Sequence, residues 1–345
     1  MFDLLKSLCD LPGPSGYEDA VQAMVSESLR AAGAEVVRTP VGNVVAHLGG
    51  RGKRLVITVH ADEIGAIVQS VTDDGFVLVM AGGGPISSTF PPYHTLPGQH
   101  CLIMTPRDPV RGVFGARTGH LRVASKSPRE ALTWDEVFVD IGARTRAEAE
   151  QWGIHPGAGV IWNPPPVSRI GANIVGKAMD DRAALAIAIE TARRVDRAQL
   201  AYDVWIASTV QEEIRMVGAG SLRDYDLGVA VDVGLVGDVP GVSRLEMPVA
   251  LGAGPVLVHK DSGVRYDREL TFALARVAEE EGIPIQHAAF QSYFSDGSSM
   301  ILNGIPTALV CFPARYTHSP VETVREDDLE NCVRLLVAFL QRTHA

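Results

Sequence analysis

The chain has 345 residues, of which 46% are hydrophobic and 21% are charged. Because single hydrophobic cores stop growing at roughly 250 to 300 residues, a chain of this length is expected to form two domains. Its formal net charge of −10 disfavours nucleic acid as a partner, since binding to phosphates requires an excess of lysine and arginine.

The cysteines and the apolar segments bear on where the protein works. Four cysteines stand far apart without CxxC spacing, a pattern typical of reduced, buried thiols rather than of a zinc knuckle or a disulfide framework. The first residues, MFDLLKSLCD, lack the apolar core of a signal peptide. No apolar stretch approaches the roughly 18 residues of a membrane span. We therefore expect a cytoplasmic protein with no membrane partner.

The first 65 residues predict two helices followed by three strands. Apolar side chains share one face of residues 2–9, and the segment LPGPSG ends that helix. In the next helix, Ser15 and Glu18 have the spacing of a capping box, and Gly33 is placed to end the helix. The strands are EVVRT, NVVAHLG and RLVITVH, and the last is an apolar run typical of a strand buried on both faces.

The pattern changes after Gly65. From there to about residue 161, short alternating strands are broken by turn segments such as DDG and PRDP, which is typical of a small all-β unit. From Gly171 helices and strands alternate again, ending with the helix REDDLENCVRLLVAFLQ. We therefore predict an α/β domain formed by residues 1–65 and 162–345, interrupted by a β-rich insertion of residues 66–161.

Polar side chains follow the ends of several predicted strands, where ligands usually bind in α/β sheets. A further carboxylate pair, Asp180 and Asp181, opens a helix after GKAM. Together these positions supply every ligand type that zinc prefers except thiolate. The strand-end residues are His60, Asp62 and Glu63 after RLVITV, Glu212 and Glu213 after DVWIASTV, Asp232 at the end of LGVAV, and His318 beyond PTALVCFPARYT.

Each of these residues also has a plainer interpretation. His60 and Asp62 face the same way on an extended segment, so the carboxylate can accept the second imidazole N–H and orient the ring toward a metal; a strand-end histidine can also simply meet solvent. Asp180 and Asp181 can be acids favoured by a helix N-terminus, or can supply a carboxylate shared by two cations. Asp232 and His318 are weak evidence individually.

Glu212 and Glu213 are adjacent where an apolar run ends. Neighbours on an extended chain point to opposite sides, so they are unsuited to clamp one bond as a glycosidase pair does, with carboxyls roughly 5 to 10 Å apart across the substrate. We expect one carboxylate to bind a metal and the other to face the substrate as a general base. The alternative is a pair of solvated acids in a loop.

Six motifs in order carry a resemblance to a known family: HADEIG, GKAMDDR, VQEE, VDVG, SDG and RYTHSP. The chain resembles the tetrahedral dinuclear metalloaminopeptidases, also described as glutamyl or deblocking aminopeptidases. The resemblance implies a mixed-sheet α/β/α metallopeptidase domain with an inserted small, barrel-like β domain. It also implies that His60 and Asp232 hold one metal, that Glu213 and His318 hold the other, that Asp180 bridges them, that Glu212 is the general base and that Asp62 orients His60.

The function expected from this resemblance is hydrolysis of the N-terminal peptide bond of short peptides through a metal-bridging water. Two divalent ions per subunit are expected, zinc first, with cobalt or manganese also suitable. A homo-oligomer, a dodecamer by resemblance, is expected. The glycine- and proline-rich segment AGGGPISSTFPPYH is either a contact loop of that assembly or a set of plain surface turns. Arg215 and Met216 stand where the family usually has a glycine after QEEV, and FSDGSS where Thr-Asp is more usual, which leaves the substrate preference open.

Two other functions fit the same residues. A dinuclear deacylase or carboxypeptidase would use the same metals and would recognise a substrate carboxylate, with Arg182 and Arg315 as candidates beside the site motifs. A non-catalytic peptide-binding or chaperone-like protein would be favoured if a ligand or Glu212 were missing, and none is.

Overall fold

A computed structural model describes residues 1–82, 97–117 and 132–342. The predicted contact segment AGGGPISSTFPPYH lies outside these residues, except for its first two. The helices are α1 (Phe2–Asp10), α2 (Asp19–Ala31), α3 (Arg146–Gln151), α4 (Met179–Arg194), α5 (Glu212–Arg215), α6 (Val217–Gly220), α7 (Arg268–Glu280), α8 (Asp296–Leu302) and α9 (Glu326–Leu340), with 3₁₀ turns at Trp134–Glu136 and Arg197–Gln199.

Seventeen strands lie within the described residues. They are β1 (Glu35–Arg38), β2 (Val44–Gly49), β3 (Arg54–His60), β4 (Ala66–Val71), β5 (Val77–Ala81), β6 (His100–Ile103), β7 (Val110–Ala116), β8 (Val137–Asp140), β9 (Gly159–Trp162), β10 (Ser168–Ile170), β11 (Asn173–Gly176), β12 (Asp203–Thr209), β13 (Leu227–Leu235), β14 (Val256–Lys260), β15 (Gln286–Ala289), β16 (Thr307–Ala314) and β17 (Glu322–Arg325).

An eight-stranded mixed sheet forms the centre of the larger domain, in the order β1-β2-β12-β3-β13-β16-β14-β15. Strands β12, β3, β13 and β16 are parallel to their neighbours in that run, whereas β2 and β14 flank them antiparallel. The carboxyl ends of the four parallel strands therefore lie at the same edge of the sheet. Because ligands bind at that edge in α/β sheets, the topology places a site there.

Helices cover both faces of this sheet. Successive strand residues point to opposite sides, and the central strands have apolar residues at successive positions, so both faces have to be buried. On β3, Leu55 and Ile57 join the large core beneath α1, α2, α4, α7 and α9, whereas Val56 packs with Met300 of α8 in a second cluster. The prediction of a mixed-sheet α/β/α fold is confirmed. Within the described residues, no helix combines the length and apolar character needed to cross a bilayer.

The inserted strands close into a small barrel in the order β4-β5-β8-β7-β6-β9, with every neighbouring pair antiparallel. Closure leaves the barrel without a free edge strand. Its own core includes Val77, Ile103, Phe114 and Val139, all buried. A barrel-like insertion is thus confirmed, and the domain boundaries at residues 65/66 and 161/162 stay a prediction.

The start of α2 differs from the sequence prediction. The helix begins at Asp19 and has no side-chain cap, so the capping box of Ser15 and Glu18 was wrong. Ser15 instead donates from Oγ to Oδ2 of Asp62 at 2.6 Å, and Glu18 accepts from the backbone N–H of Gln211 at 3.0 Å. Both polar side chains are used by tertiary contacts at the sheet edge, which outcompete the local cap.

A buried ion network ties the first helix to the sheet edge. Arg182 is fully buried and donates to the carbonyl oxygen of Leu8 at 2.8 Å. Glu63 accepts from Lys177 at 2.7 and 2.8 Å and from the backbone N–H of Gly13 at 3.0 Å, and its Oε1 lies 3.4 Å from Arg182 Nη2. These contacts fix the positions of residues just after His60 and just before Asp180.

Replacement of Glu63 should destabilise the fold strongly. Glu63→Ala leaves two buried cations, Lys177 and Arg182, without their carboxylate, and removing one partner of a buried ion pair costs about 3 to 5 kcal/mol. Asp19→Ala is the matched control, because Asp19 forms an ion pair with Arg38 at the protein surface. An exposed pair contributes at most about 1 kcal/mol to the free energy of unfolding. Thermal denaturation at one protein concentration, in chelator, measures both variants. Equal, small shifts would contradict a structural role for the network.

Candidate functional site

A cavity of about 470 Å³ opens at the carboxyl edge of the parallel strands. His60 ends β3, Asp232 lies in β13, and His318 follows β16. Asp180 opens α4, and α5, which carries the two glutamates, directly follows β12. The structure therefore brings together, from five separate segments, all the proposed metal ligands and Glu212: His60, Asp180, Glu212, Glu213, Asp232 and His318 line this cavity.

Asp180 lies between the two histidines. Its Oδ1 is 3.1 Å from Nε2 of His60 and its Oδ2 is 3.3 Å from Nε2 of His318. Oδ2 also accepts from Oγ1 of Thr317 at 3.0 Å. Because each oxygen faces a different histidine, this buried carboxylate belongs to both halves of the site.

Two groups of side chains offer ligand atoms that all lie within 4.8 Å of one another: His60, Asp180, Asp181 and Asp232 in one, Asp180, Glu213 and His318 in the other. Imidazole nitrogen and carboxylate oxygen suit zinc and related cations. Oδ1 of Asp181 and Oε1 of Glu213 are buried and have no hydrogen-bond partner among the described residues. The donor set therefore fits a pair of cations.

Asp181 is a member of the first group that the sequence prediction left out. Its Oδ2 accepts from the backbone N–H of His60 at 3.0 Å, which fixes the end of β3. Only its adjacency to Asp180 in MDDR signalled it. In sequence, that adjacency fitted a helix N-terminus equally well.

The electrostatics of the site depend on burial and on neighbouring charge. Desolvation raises the pKa of Asp232 well above its usual range, and the charge of Asp180 raises it further. Burial would lower the pKa of His60, but Asp181 and Asp180 outweigh it and raise that pKa well above its usual value. Desolvation also opposes ionisation of Asp180, yet hydrogen bonds with His318 and His60 bring its pKa below the usual range. Bound cations would displace the protons that otherwise balance these charges.

Asp62 is fully buried beside His60. The contact at hydrogen-bond distance from Nδ1 of His60 is the carbonyl oxygen of Asp62, at 3.2 Å, and the carboxylate Oδ1 is 3.5 Å away. The carboxylate oxygens accept from the backbone N–H groups of Glu212 at 3.0 Å and Glu213 at 3.2 Å. Orientation of His60 by the Asp62 carboxylate therefore stays a prediction, whereas the same carboxylate anchors the N-terminus of α5, where an anion is favoured.

Glu212 and Glu213 lie in the first turn of α5, preceded by Gln211 in the left-handed region at φ 54. The expectation of an extended segment was wrong. Successive helical residues are about 100° apart, and this separates the two side chains equally well. Oε2 of Glu213 is 3.3 Å from Nε2 of His318, whereas Glu212 lines the cavity outside both donor groups. Burial, with the charges of Asp232 and Glu213, raises the pKa of Glu212 well above its usual range.

Glu322 is a buried residue of the site that sequence reasoning missed. Its Oε2 accepts from the backbone N–H of Asp180 and its Oε1 from that of His318, both at 2.9 Å. Desolvation, with the charge of Asp180, raises its pKa to about 8. Glu322 thereby links the backbone of Asp180 to the backbone of His318. Its place shortly after RYTHSP was the available signal.

The two arginines considered for recognition of a substrate carboxylate are occupied elsewhere. Arg182 is fully buried in the network with Glu63. Arg315 donates from Nε to Oδ1 of Asp238 at 2.9 Å and from Nη2 to Oδ2. Neither lines the cavity.

Comparisons with known proteins agree with this fold. The chain is 31% identical over 348 residues to a lysyl aminopeptidase of Pyrococcus furiosus, covering 99% of this chain and 96% of the relative. An aminopeptidase from the archaeon Desulfurococcus kamchatkensis has a similar structure, with 30% identity, a TM-score of 0.89 and coverage of 99% of this chain and 94% of that one. The TET1 peptidase of Pyrococcus horikoshii, described as assembling into a tetrahedron or a large octahedral shell, has 27% identity, a TM-score of 0.87 and 98% coverage of each chain.

The family itself follows from a sequence model that spans most of the chain. The model of the M42 glutamyl aminopeptidases matches residues 42–335. This range includes all six motifs on which the resemblance was based. That resemblance is confirmed: the chain belongs to the M42 glutamyl aminopeptidase family.

Proposed function

We propose that this chain is a dinuclear metal aminopeptidase that removes N-terminal residues from short peptides. The observation that carries the proposal is Asp180, whose two oxygens lie 3.1 and 3.3 Å from a histidine of each donor group. A carboxylate placed between two donor groups suits a pair of cations a few ångströms apart.

The residues would divide between two cations. His60 and Asp232 would hold one, Glu213 and His318 the other, and Asp180 both. Zinc suits this mixture of imidazole and carboxylate best, with cobalt or manganese as alternatives. When bound, the cations lower the pKa of a water molecule and polarise the scissile carbonyl.

Glu212 would carry the proton transfers. It lines the cavity next to the donor groups without belonging to either, and Asp62 holds its backbone N–H at 3.0 Å. Its carboxylate oxygen would accept a proton from the attacking water and return it to the leaving amine nitrogen. The substrate's ammonium group would find its counter-charge among the carboxylates on the cavity floor.

The rival functions receive less support from the site. A carboxypeptidase needs a cation for the substrate's carboxylate, and Arg182 and Arg315 are both engaged with other acids. A non-catalytic peptide-binding protein has no need for a half-buried base held beside two donor groups. In contrast, the five proposed metal ligands and the proposed base Glu212 line one cavity, which supports the aminopeptidase.

The barrel lies beside the site. Trp162 at the end of β9 and Ile64 border a small cleft that also contacts Asp180 and His318. Because a structural relative, a TET1 peptidase, is described as a dodecamer, we propose a homo-oligomer of twelve chains. Such an assembly would admit short peptides and exclude folded proteins.

Glu212→Gln should keep both metals and lose turnover. The amide cannot accept a proton, and loss of a general base typically costs about two orders of magnitude or more. Metal content by mass spectrometry and turnover of aminoacyl chromogenic substrates measure the two effects separately. Glu246→Gln, an exposed glutamate, is the matched control. Near wild-type turnover in the Glu212 variant would refute its role as the base.

Loss of the shared carboxylate should affect both metals. Asp180→Ala removes a ligand common to two groups and should empty both, whereas His318→Ala should lower one occupancy and spare the other. Zinc titration followed by calorimetry gives the stoichiometry. His259→Ala, at an exposed pair with His287, should retain two zinc ions. Equal losses in the Asp180 and His318 variants would count against a bridging Asp180.

The assembly should restrict the enzyme to short substrates. Multi-angle light scattering is expected to give the mass of twelve chains, and cleavage should fall steeply as peptides lengthen. A folded protein with an accessible N-terminus should stay intact. A fully active monomer, or rapid trimming of that folded protein, would overturn the proposed enclosure.

A further inference from the structure

One wall of the cavity is apolar and is built by three elements. Beyond Asp232, β13 contributes two aliphatic residues to it, while α5 and the residue that links it to α6 add two more. The loop before α8 supplies two aromatic rings. These residues are Val233, Leu235, Ile214, Met216, Tyr293 and Phe294.

This wall is held in a fixed shape at its base. The hydroxyl of Tyr293 donates to the carbonyl oxygen of Val233 at 2.8 Å, and both side chains are buried. Phe294 is 38% exposed and lies nearer the opening. An apolar surface that is already formed can receive a side chain with little cost of ordering.

The charges along the cavity are segregated. Among the described residues that line it, every carboxylate belongs to a donor group or is Glu212. Apart from these residues and the two histidines of the centre, Arg215 is the one charged side chain among the described lining residues. It is exposed on α5. A lysine side chain lying along the wall would meet no carboxylate there and would face this guanidinium.

We propose that this cavity selects peptides whose N-terminal residue has a large, uncharged apolar side chain, such as leucine, methionine or phenylalanine, and that Arg215 disfavours lysine and arginine at that position. This inference rests on the proposed aminopeptidase function and names its substrate class. The volume of about 470 Å³ accommodates a side chain of that size together with the adjoining peptide bond.

For an acidic side chain, the attraction of Arg215 is smaller than the cost of burying the charge, whereas for a basic side chain repulsion and burial act in the same direction. The guanidinium is exposed, so its attraction for a carboxylate is screened by water, while the carboxylate would lose hydration against the apolar wall. Glutamine is neutral, so placing its side chain against the wall does not require burying a charge. Glutamate is therefore expected to be cleaved more slowly than methionine, and no faster than glutamine.

Two pairs of substrates separate the effect of apolar contact from the effect of charge. Chromogenic derivatives of leucine and alanine report on apolar contact, and leucine should exceed alanine in kcat/KM by about tenfold or more. Methionine and lysine have similar lengths and differ in charge, and methionine should exceed lysine by about tenfold or more. Higher kcat/KM for lysine or glutamate than for methionine would overturn the proposal.

Two variants assign the preference to residues. Arg215→Glu should raise the lysine-to-methionine ratio about threefold to tenfold, because it reverses the charge that a lysine side chain meets. It should leave the leucine-to-alanine ratio unchanged, because Arg215 is exposed and does not belong to the apolar wall. Phe294→Ala should lower the leucine-to-alanine ratio about threefold or more. Arg276→Glu, at an exposed arginine of α7 outside the cavity, is the control and should change neither ratio. Unchanged ratios in both cavity variants would refute this assignment.

Failure of the inference can be distinguished from failure of the proposed function. No turnover of any derivative by the zinc-loaded wild-type oligomer would reject the aminopeptidase assignment, and the selectivity proposal with it. Turnover with the wrong order of substrates would reject the selectivity alone. Calorimetric binding of free L-methionine and L-lysine to the Glu212→Gln protein gives a second measurement that does not depend on catalysis, and tighter binding of lysine would contradict the proposal.

Discussion

Burial of several carboxylates at one edge of the sheet is the constraint on which the rest of the site depends. Asp180, Asp181, Asp232, Glu212 and Glu213 approach one another away from bulk water, where desolvation and mutual repulsion oppose ionisation. Only nearby positive charge makes such a cluster stable in its ionised form. The two imidazoles provide part of that charge. The spacing of the donor atoms also allows bound cations to provide positive charge there.

Much of this site could be read from sequence because strand ends are local features. An apolar run followed directly by His60 or by Glu212 marks the sheet edge wherever the strand pairs, and the parallel topology then brings the edges together. Glu322 and the tertiary use of Ser15 could not be read in that way. Ser15 contacts the carboxylate of Asp62 at 2.6 Å and Glu322 contacts the backbone N–H of Asp180 at 2.9 Å. Both partners are distant in sequence, so a local pattern does not indicate them.

The supports of the site are arranged as backbone contacts to carboxylates. Asp62 accepts two N–H groups at the start of α5, and Glu322 accepts those of Asp180 and His318. Because these acids fix main-chain atoms, the side chains above them stay available for ligands and substrate. Glu63 follows the same pattern with Gly13 and adds Lys177 as a counter-charge. The main chain of this sheet edge is therefore held by hydrogen bonds that do not use the side chains proposed as metal ligands.

The position of the barrel in the chain affects how the central sheet can form. Strand β3 finds its parallel partners β12 and β13 only far along the sequence, whereas β4 pairs with β9 at Ala66 and Val160. Once closed, the barrel acts as a non-covalent cross-link. It shortens the loop that must close between β3 and β12 from roughly 140 to roughly 50 residues, which lowers the entropy cost by about 1 kcal/mol. The insertion thus assists the assembly of the sheet that it interrupts.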